Sequence, residues 1–227
     1  MEKSFNTAEK FILLCHHPER GRFMVSRQYI QYGLPGAILM DLCLDGKLGL
    51  HENRIVLKSE SIPSDPVMAE VVKMITESAR SRKTAFWVRK MGFSYNRYLK
   101  LVLNALAKRR IVRFEDRKFL WVIPWRRSYL VESYTRSNVV RQLKNDILVY
   151  RGDTGDTTAL AGLIEACRMH RILSADKDEL RIIRSQLKII IKDNPVTDVV
   201  KQTIREVQAA IITSVTAAVI ASTAGRR

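Results

Sequence analysis

The stretch YGLPGAILMDLCLDGKLGL, residues 32–50, places a Gly-Leu-Pro-Gly elbow directly before an apolar run and closes that run with Asp-Gly-Lys. Proline is favoured in the first turn of a helix, and glycine is favoured just beyond its end. The stretch therefore predicts a helix that begins at Pro35 or Gly36, continues to Leu44 and ends at Gly46. It carries no nucleophile motif, metal-binding set or phosphate-binding loop, so we interpret it as part of the core.

Two further helices have recognisable starts. Asn6 and Glu9 are spaced as an N-cap residue and its reciprocal partner, which predicts a helix through Cys15. The pair Asp65-Pro66 combines a capping residue with a proline suited to the first helical position, which predicts a third helix. The residues expected to face the core from this third helix are Val67, Val71, Met74 and Ile75.

The clearest helical periodicity lies in residues 94–108, where large apolar residues recur every three or four positions. Two strands are predicted to follow this helix, at 111–114 and 119–123, with a charged turn at 115–118 between them. A helix followed by a two-stranded wing resembles a winged helix. A second, shorter hairpin is predicted from residues 48–50 and 55–57.

The rest of the chain is predicted to be helical. Helices are expected at residues 137–150, 156–172, 177–192 and 196–223, the last with Asn194 as its cap and Pro195 in its first turn. The apolar segment 207–224 is nearly as long as a membrane span, but its polar residues and many alanines favour a buried helix. The fold class is therefore mainly α, with short β-hairpins, in a single globular domain over residues 1–227.

The charge balance limits the kind of partner. The 39 Lys and Arg residues against 23 Asp and Glu residues give a formal net charge of +16. Such an excess indicates a polyanionic partner, which is nucleic acid, an anionic membrane surface or an acidic protein. A basic surface without such a partner is the alternative. No signal peptide is recognisable, so we expect a cytoplasmic protein.

Enzyme chemistry has little support in the sequence. The four histidines, at positions 16, 17, 51 and 170, lack the spacing of a helical metal pair. Cys15, His16 and His17 are the best candidate ligands, but adjacent residues on a helix point in different directions. Cys15, Cys43 and Cys167 are far apart and flanked by apolar residues, which predicts reduced core thiols. We therefore expect no catalytic residues, no metal and no cofactor.

Three blocks, AEKFILLCHHPERGRF, YGLPGAILMDLCLDGKLGL and SDPVMAEVVKMI, follow one another at the spacing of the Golgi phosphoprotein 3 family. The sequence resembles this family over nearly its whole length, because the wing, residues 137–147 and the final Ala-rich helix continue the match. The resemblance implies a mostly helical, non-catalytic domain that binds phosphatidylinositol 4-phosphate and, in eukaryotes, tethers Golgi enzymes to a vesicle coat. The basic N-terminal extension of eukaryotic members is absent, so we expect a bacterial or otherwise coat-independent member.

The resemblance also implies where a headgroup would bind. The family pocket takes an aromatic residue upstream of the Gly-Leu-x-Gly elbow, a basic residue at the third elbow position, and two basic residues three apart on a later helix. In this sequence the later pair matches Arg141 and Lys144, whereas the elbow position is Pro35 and the aromatic position is Ser26. We therefore expect a phosphatidylinositol 4-phosphate-like site of which half is retained.

Elementary geometry supports a phosphate site at the same basic pair. Arg141 and Lys144 are one helical turn apart and project from one face, where both can grip a single phosphate. Arg136, earlier on the same helix, and Arg27, beside Ser26, are candidates for additional charge. The alternative is that the pair belongs to the solvated face of an amphipathic helix.

Residues 125–134, WRRSYLVESY, are interpreted as a loop that mixes aromatic and basic residues. Such a composition suits insertion at a membrane interface. An ordinary surface loop whose aromatic residues fold back on the core is the alternative. The candidate interface residues are Trp125, Arg126, Arg127, Tyr129 and Leu130.

The predicted function is a non-catalytic, peripherally membrane-associated protein that binds anionic phospholipid headgroups, and two other functions stay open. One is an adaptor for cytoplasmic tails of membrane enzymes, and this function can coexist with lipid binding. The sequence does not determine the oligomeric state. The other is a winged-helix DNA-binding protein, although a recognition helix needs exposed polar residues and most of the 94–108 helix is apolar. Its candidate phosphate contacts are Lys108, Arg109, Arg110, Arg113, Arg117 and Lys118.

Overall fold

The fold is given by a computed structural model that describes residues 5–59, 61–119, 123–149, 155–193 and 198–224. Most of these residues are helical, and the strands form two small antiparallel sheets. The helices are α1 (Thr7–Cys15), α2 (Arg27–Leu44), α3 (Pro66–Thr76), α4 (Thr84–Phe93), α5 (Tyr95–Lys108), α6 (Ser133–Leu148), α7 (Gly155–Ala166), α8 (Lys177–Asp193) and α9 (Asp198–Ala224). The strands are β1 (Leu48–His51), β2 (Arg54–Leu57), β3 (Arg82–Lys83), β4 (Val112–Phe119) and β5 (Ile123–Leu130).

Helix α2 forms the centre of the molecule. Nearly every residue from 30 to 43 is buried, and α2 packs against α1, α4, α5, α7 and α9. The helix begins at Arg27, so the predicted start at Pro35 or Gly36 is wrong. Pro35 has no N–H to donate to the carbonyl of Gln31, and Gly92 of α4 packs close to that carbonyl. Burial of the flanking turns therefore outweighs the local effect of the proline.

The predicted starts of α1 and α3 are confirmed. The Asn6 side chain accepts the Glu9 N–H at 2.8 Å, and Glu9 accepts the Asn6 N–H at 3.2 Å, which completes a capping box. Asp65 caps α3 by accepting the N–H groups of residues 67 and 68 at 2.8 and 3.0 Å. Helix α1 has a second acceptor that the local sequence does not reveal. The buried Asp41 of α2 accepts the N–H groups of residues 7 and 8 at 2.7 and 2.9 Å.

Both predicted hairpins are present, but the wing that follows α5 is longer than predicted. Strands β1 and β2 pair through a turn at residues 52–53, and β3 adds a short third strand. Strands β4 and β5 pair over their full length after α5, as a wing would. The predicted turn at residues 115–118 lies inside β4, and residues 125–130, which were predicted to be a loop, lie in β5. Glu115 lies opposite Arg127 in the register of this sheet, and oppositely charged cross-strand pairs favour strands.

The second half of the chain departs from the prediction in two places. Helix α6 begins at Ser133 rather than at 137. The helix predicted at 156–172 ends at Ala166, and a short 3₁₀ helix follows at His170–Ile172. In the first half of the chain, helix α4 (Thr84–Phe93) was not predicted. The predicted cap Asn194 and Pro195 lie outside the described residues, whereas α8 and α9 occupy the predicted ranges.

Helix α9 closes the core against α2, α4 and α7. Val207, Ile211 and Val215 are buried in this contact. Among the described helices, none has the length and apolar content that a membrane crossing requires. A continuous cluster of buried residues extends from Ala8 in α1 to Val215 in α9, so the elements share one core.

The three cysteines lie in this core, as predicted. Cys15, Cys43 and Cys167 are all buried. Burial raises the pKa of the Cys15 thiol, and it raises the pKa of the Cys167 thiol to about 12. Both thiols therefore stay protonated at neutral pH.

Candidate functional site

The outer face of α6 carries Arg141, the first residue of the predicted phosphate pair. Leu143 and Ile147 of α6 are buried, which turns Arg141 toward solvent. Its guanidinium donates to the Asn138 side chain at 2.8 Å. Side-chain hydrogen bonds from Asn138 and Arg141 also lower the pKa of the exposed Tyr134 phenol. Arg141 is thus exposed and oriented by two neutral neighbours.

Lys144 has a different environment from Arg141. It is half-buried, and its ammonium group forms an ion pair with Glu179 of α8 at 2.5 Å. The hydrogen bond from Lys144 lowers the pKa of the Glu179 carboxyl. Helix α6 therefore does not present two unpaired cations on one face, as the sequence predicted. Arg141 is available, but the packing of α8 against α6 gives Lys144 a carboxylate partner.

Arg136 lies inside the protein rather than beside Arg141. Its guanidinium donates to the Leu14 carbonyl at 3.3 Å and approaches the Met24 sulfur at 3.7 Å. It therefore places a positive charge at the C-terminal end of α1, where the helix dipole is negative. Burial lowers its pKa, and among the described atoms its Nε has no hydrogen-bond partner. The prediction that Arg136 adds charge to a surface site is not supported by this position.

The elbow residues and Arg27 belong to α2 rather than to α6. Pro35 is buried within α2, and Ser26 is the N-cap of α2 without a side-chain capping bond. Arg27 is exposed, and its guanidinium lies 5.3 Å from the centre of the Tyr95 ring on α5. The half of the pocket expected from the elbow is therefore on α2, with Arg27 against Tyr95 of α5, and the half expected from the later pair is on α6.

Residues 125–130 of the predicted membrane-interface segment lie in β5, and the described side chains among them are buried or half-buried. Leu130 is buried, and Tyr129 packs against Gly21 and under the guanidinium of Arg113 at 5.2 Å. Arg127 is half-buried. The side chains of Trp125 and Arg126 lie outside the described part of the structure. Leu130 packs onto the core, and this position does not support its predicted role at a membrane interface.

A wide groove opens beside the neutral neighbours of Arg141. This α5–α6 groove has a volume of about 970 Å³ and lies between the end of α5 and the face of α6 that carries Tyr134 and Asn138. On its opposite side, Lys10 is paired with Asp156 at 3.0 Å, and Arg109 is paired with Glu9 at 3.0 Å. Its lining includes the basic residues Lys10, Arg109 and Arg110, the acidic residues Glu132 and Asp146, and the uncharged residues Phe5, Ile111, Tyr134, Asn138, Gln142 and Leu160.

Arg110 is the exposed cation of the α5–α6 groove. It has a φ angle of 58°, and its N–H donates to the Ala107 carbonyl at 2.9 Å. The Ile111 N–H donates to the Leu106 carbonyl at 3.0 Å, which completes a Schellman motif with Arg110 at the position that glycine usually occupies. No carboxylate of the described residues pairs with Arg110 or with Arg141.

Comparison with known protein families gives one match. The family model for Golgi phosphoprotein 3 matches residues 8–207. The chain belongs to the Golgi phosphoprotein 3 family. No protein of a curated collection matches it significantly. The match covers α1 through the first part of α9, so it includes the core, the wing and the α5–α6 groove. The Golgi phosphoprotein 3 family is a non-enzymatic, adaptor-type family.

The residues that the sequence offered as the best candidate metal ligands, Cys15, His16 and His17, have other contacts in this Golgi phosphoprotein 3-like fold. No group of three or more His, Cys, Asp or Glu side chains in the described residues has the arrangement of a metal site. His16 instead contacts the His17 carbonyl at 3.0 Å and the Ser128 hydroxyl at 3.1 Å, and burial lowers its pKa. The candidate cluster at residues 15–17 is therefore occupied by structural contacts.

The winged-helix surface has a more polar exterior than the apolar periodicity of residues 94–108 predicts. The large apolar residues of α5 point into the core, whereas Asn96, Lys100 and Lys108 are exposed. Two of the candidate phosphate contacts are engaged, because Arg109 pairs with Glu9 and Arg113 pairs with Glu115. The side chains of Arg117 and Lys118 lie outside the described residues.

Sequence reasoning missed two features of the surface. Asn138, which orients Arg141, had no signal, because its role depends on the turn of α6 that brings it beside Tyr134. Phe93 is 83% exposed at the end of α4, a helix that was not predicted. A helical pattern of apolar residues at positions 84–93 was the available signal, but the basic residues around it obscured the period.

Proposed function

We propose that this protein is a non-catalytic peripheral membrane protein that binds the phosphorylated headgroup of an anionic phospholipid in the α5–α6 groove. The observation that carries the proposal is an open groove with the exposed Arg110 in its lining and the exposed Arg141 beside its edge, neither of which is paired with a described carboxylate, including the lining residues Glu132 and Asp146. Arg110 lines the groove directly, and Arg141 reaches its edge through Tyr134 and Asn138. Membership of the Golgi phosphoprotein 3 family supports a phosphoinositide-like ligand.

The chemistry of the groove suits a phosphate ester better than a carboxylate. Guanidinium groups donate paired N–H bonds that match phosphate oxygens, and Arg110 and Arg141 approach from different elements. The Tyr134 phenol and Asn138 amide add neutral groups that can bond to ring hydroxyls. The headgroup we propose is therefore phosphatidylinositol 4-phosphate-like, with Arg110 replacing the predicted contribution of Lys144. Arg27 and Arg136 take no part in this site.

Membrane attachment through this site is transient and depends on the net charge of the protein. A basic group near an anionic leaflet contributes about 1 kcal/mol, so Arg110 and Arg141 give only weak docking by themselves. The exposed side chains of Val131 and Tyr134 lie at the same groove and suit the interfacial region of a bilayer. We place the protein in the cytoplasm at the membrane surface, where it acts as an adaptor for the tails of membrane enzymes.

Cosedimentation with vesicles tests this proposal. The double variant Arg110→Gly with Arg141→Gln is compared with Lys73→Gln with Arg89→Gln, which removes the same charge from exposed positions on α3 and α4. Vesicles contain either phosphatidylinositol 4-phosphate or phosphatidylserine at equal surface charge. We expect the groove variant to bind phosphoinositide vesicles about tenfold more weakly, and the control about as well as the parent. Equal losses in both variants would mean diffuse electrostatics and would refute the site.

A second candidate function is nucleic-acid binding through α5 and the wing. The observation that favours it is the exposed polar face of α5, with Asn96, Lys100 and Lys108 beside a two-stranded hairpin. Exposed polar residues are what a recognition helix requires. This candidate uses a different face from the α5–α6 groove, so the two can be separated by substitution.

Duplex DNA binding at physiological salt distinguishes the two functions. Under the DNA alternative, Lys100→Gln with Lys108→Gln weakens duplex binding about tenfold or more, because two phosphate contacts are lost. The dependence of the binding constant on salt concentration also becomes less steep. Under the lipid proposal, this double variant binds phosphoinositide vesicles as the parent does. Loss of vesicle binding in this variant would contradict the assignment of the headgroup to the α5–α6 groove.

A further inference from the structure

A second cleft lies on the other side of α7, between the end of that helix, α8 and α9. This α7–α8 cleft has a volume of about 430 Å³. Small-ligand sites in proteins have volumes in this range, with mostly apolar walls and a few convergent polar groups. Part of the wall is formed by Tyr29 of α2 and by Ala166 and Val215. The cleft shares none of its lining residues with the α5–α6 groove.

Three arginines from three different segments line the α7–α8 cleft. Arg168 follows α7, Arg171 lies in the 3₁₀ helix, and Arg184 is on α8. All three are exposed, and no carboxylate of the described residues pairs with any of them. The lining also contains Glu165, but that carboxylate is bonded to His170 at 2.7 Å. Three arginines against one carboxylate leave the cleft with a net positive charge.

The backbone at Arg168 has a conformation that usually takes glycine. Its φ angle is 53°, a left-handed conformation that costs an L-residue about 1–2 kcal/mol and that glycine adopts freely. The Met169 N–H donates to the Ile164 carbonyl at 2.9 Å, which makes Arg168 the usual glycine position of a Schellman motif. Gly46 occupies the equivalent position after α2, with a φ angle of 66°. An arginine at this position gives up the conformational advantage of glycine and adds a cation at the edge of the cleft.

The neighbours of Arg168 hold it in place. Cys167 and Met169, on either side, are buried in the core. The side chain therefore leaves a fixed backbone, and its direction into the cleft does not depend on a mobile loop. Arg184 projects from the exposed face of α8, a helix whose inner residues Ile183 and Leu187 are fully buried. Two of the three cations are thus carried by rigid elements, which favours a preorganised site.

We propose that the α7–α8 cleft binds the phosphate monoester group of a small ligand, with Arg168, Arg171 and Arg184 as the groups that contact the phosphate oxygens. A phosphate monoester carries nearly two negative charges at neutral pH and accepts several charge-assisted hydrogen bonds. The Tyr29 ring and Val215 contact the uncharged part of the ligand. The proposal does not depend on headgroup binding in the α5–α6 groove. Either a soluble phosphate ester or the headgroup of phosphatidic acid supplies this chemistry.

Calorimetric titration of the full chain with glycerol 3-phosphate tests the proposal. The informative variants are Arg168→Gly and Arg184→Gln, and the matched control is Arg181→Gln, which removes a highly exposed cation from the same helix α8. We expect saturable binding in the parent, a loss of about tenfold or more in each cleft variant, and less than about twofold in the control. Arg168→Gly keeps the left-handed backbone, so its thermal midpoint should equal or exceed that of the parent.

Two further measurements complete the test. Vesicles of phosphatidic acid and of phosphatidylserine at equal surface charge identify the source of the phosphate. Preference for phosphatidic acid that Arg168→Gly abolishes supports a lipid ligand, whereas glycerol 3-phosphate binding without such a preference supports a soluble ligand. Absence of saturable glycerol 3-phosphate binding, or equal losses in the cleft and control variants, overturns the proposal. Because these variants leave Arg110 and Arg141 unchanged, failure here is distinct from failure of the α5–α6 groove.

Discussion

At the scale of single residues, the ends of α2, α5 and α7 are directly comparable. Each helix ends in a Schellman motif whose left-handed residue is Gly46, Arg110 or Arg168, respectively. Only the first of these follows the usual preference for glycine. Both arginines line an open concave surface, and neither has a described carboxylate partner. Their positions explain why we assign the arginines to binding rather than to stability.

Replacement of Arg110 by glycine separates these two roles. We expect Arg110→Gly to raise the free energy of unfolding by about 1 kcal/mol, because glycine adopts the φ angle of 58° without strain. Arg110→Ala keeps the strain and should leave stability nearly unchanged. Urea titration measures both. A clear loss of stability in Arg110→Gly would show that the arginine side chain supports the fold.

Asp41 is a buried carboxyl group whose titration couples pH to stability. It accepts two backbone N–H groups at the start of α1, yet its burial raises its pKa to about 7. Its folded-state pKa therefore exceeds its unfolded value, so the folded state binds a proton more tightly. Its contribution to stability is present below about pH 4 and is lost as the pH rises toward about 7.

The variant Asp41→Asn removes this titration and keeps a side-chain acceptor. Relative to the variant, the parent should lose stability between about pH 4 and pH 7 by at most about 1.4 kcal/mol per pH unit. Urea unfolding of both proteins across this range measures the difference. Other groups with shifted pKa values, such as Glu9, are common to both proteins. Parallel profiles would contradict the assignment of this pH dependence to Asp41.

At the scale of secondary structure, the close packing of α2 sets the arrangement of its neighbours. A Cβ atom on Gly33 would lie 2.5 Å from the Phe11 ring of α1 and 2.9 Å from the Cys167 sulfur. A Cβ atom on Gly36 would lie 2.7 Å from Val207 of α9. The two glycines of the opening elbow therefore permit helix–helix contact rather than forming a ligand pocket. Pro35, between them, is buried in the same surface.

Substitution of Gly33 tests this packing. In an exposed helix, Gly→Ala is favourable by about 1 kcal/mol. In α2 we expect Gly33→Ala to lower the free energy of unfolding by about 1–3 kcal/mol, because the added methyl group displaces Phe11 or Cys167. Chemical denaturation measures the change. A variant that is as stable as the parent would mean that α1 can move away from α2 without cost.

The elements that sequence predicted correctly are those with local causes. The capping pair at Asn6 and Glu9 acts within one turn, and the strands at 48–57 alternate around a short turn. The start of α2 and the length of β5 depend on partners far away in sequence. For the same reason, sequence placed Arg141 correctly on the outer face of α6 but could not reveal the ion pair between Lys144 and Glu179. The burial of Arg136 against the Leu14 carbonyl is equally nonlocal.

At the scale of the whole molecule, the net charge of +16 acts over both clefts. Exposed charges attract an anionic surface over roughly a Debye length, which is about 8 Å at physiological ionic strength. This long-range attraction brings the protein to membranes without selecting a lipid. Selection requires the fixed groups of the α5–α6 groove, so rising salt should weaken attachment to phosphatidylserine vesicles more than attachment to phosphoinositide vesicles.

The location of the bound headgroup tests the central claim most directly. Backbone amide signals of the isotope-labelled protein are followed by nuclear magnetic resonance during titration with soluble inositol 1,4-bisphosphate. We predict saturable shifts confined to the end of α5 around Arg110 and to the first half of α6 around Tyr134 and Arg141, and their loss in Arg110→Gly with Arg141→Gln. Saturable shifts centred on the exposed face of α5 or on the α2 start near Arg27, with the α5–α6 groove unaffected, would contradict the account.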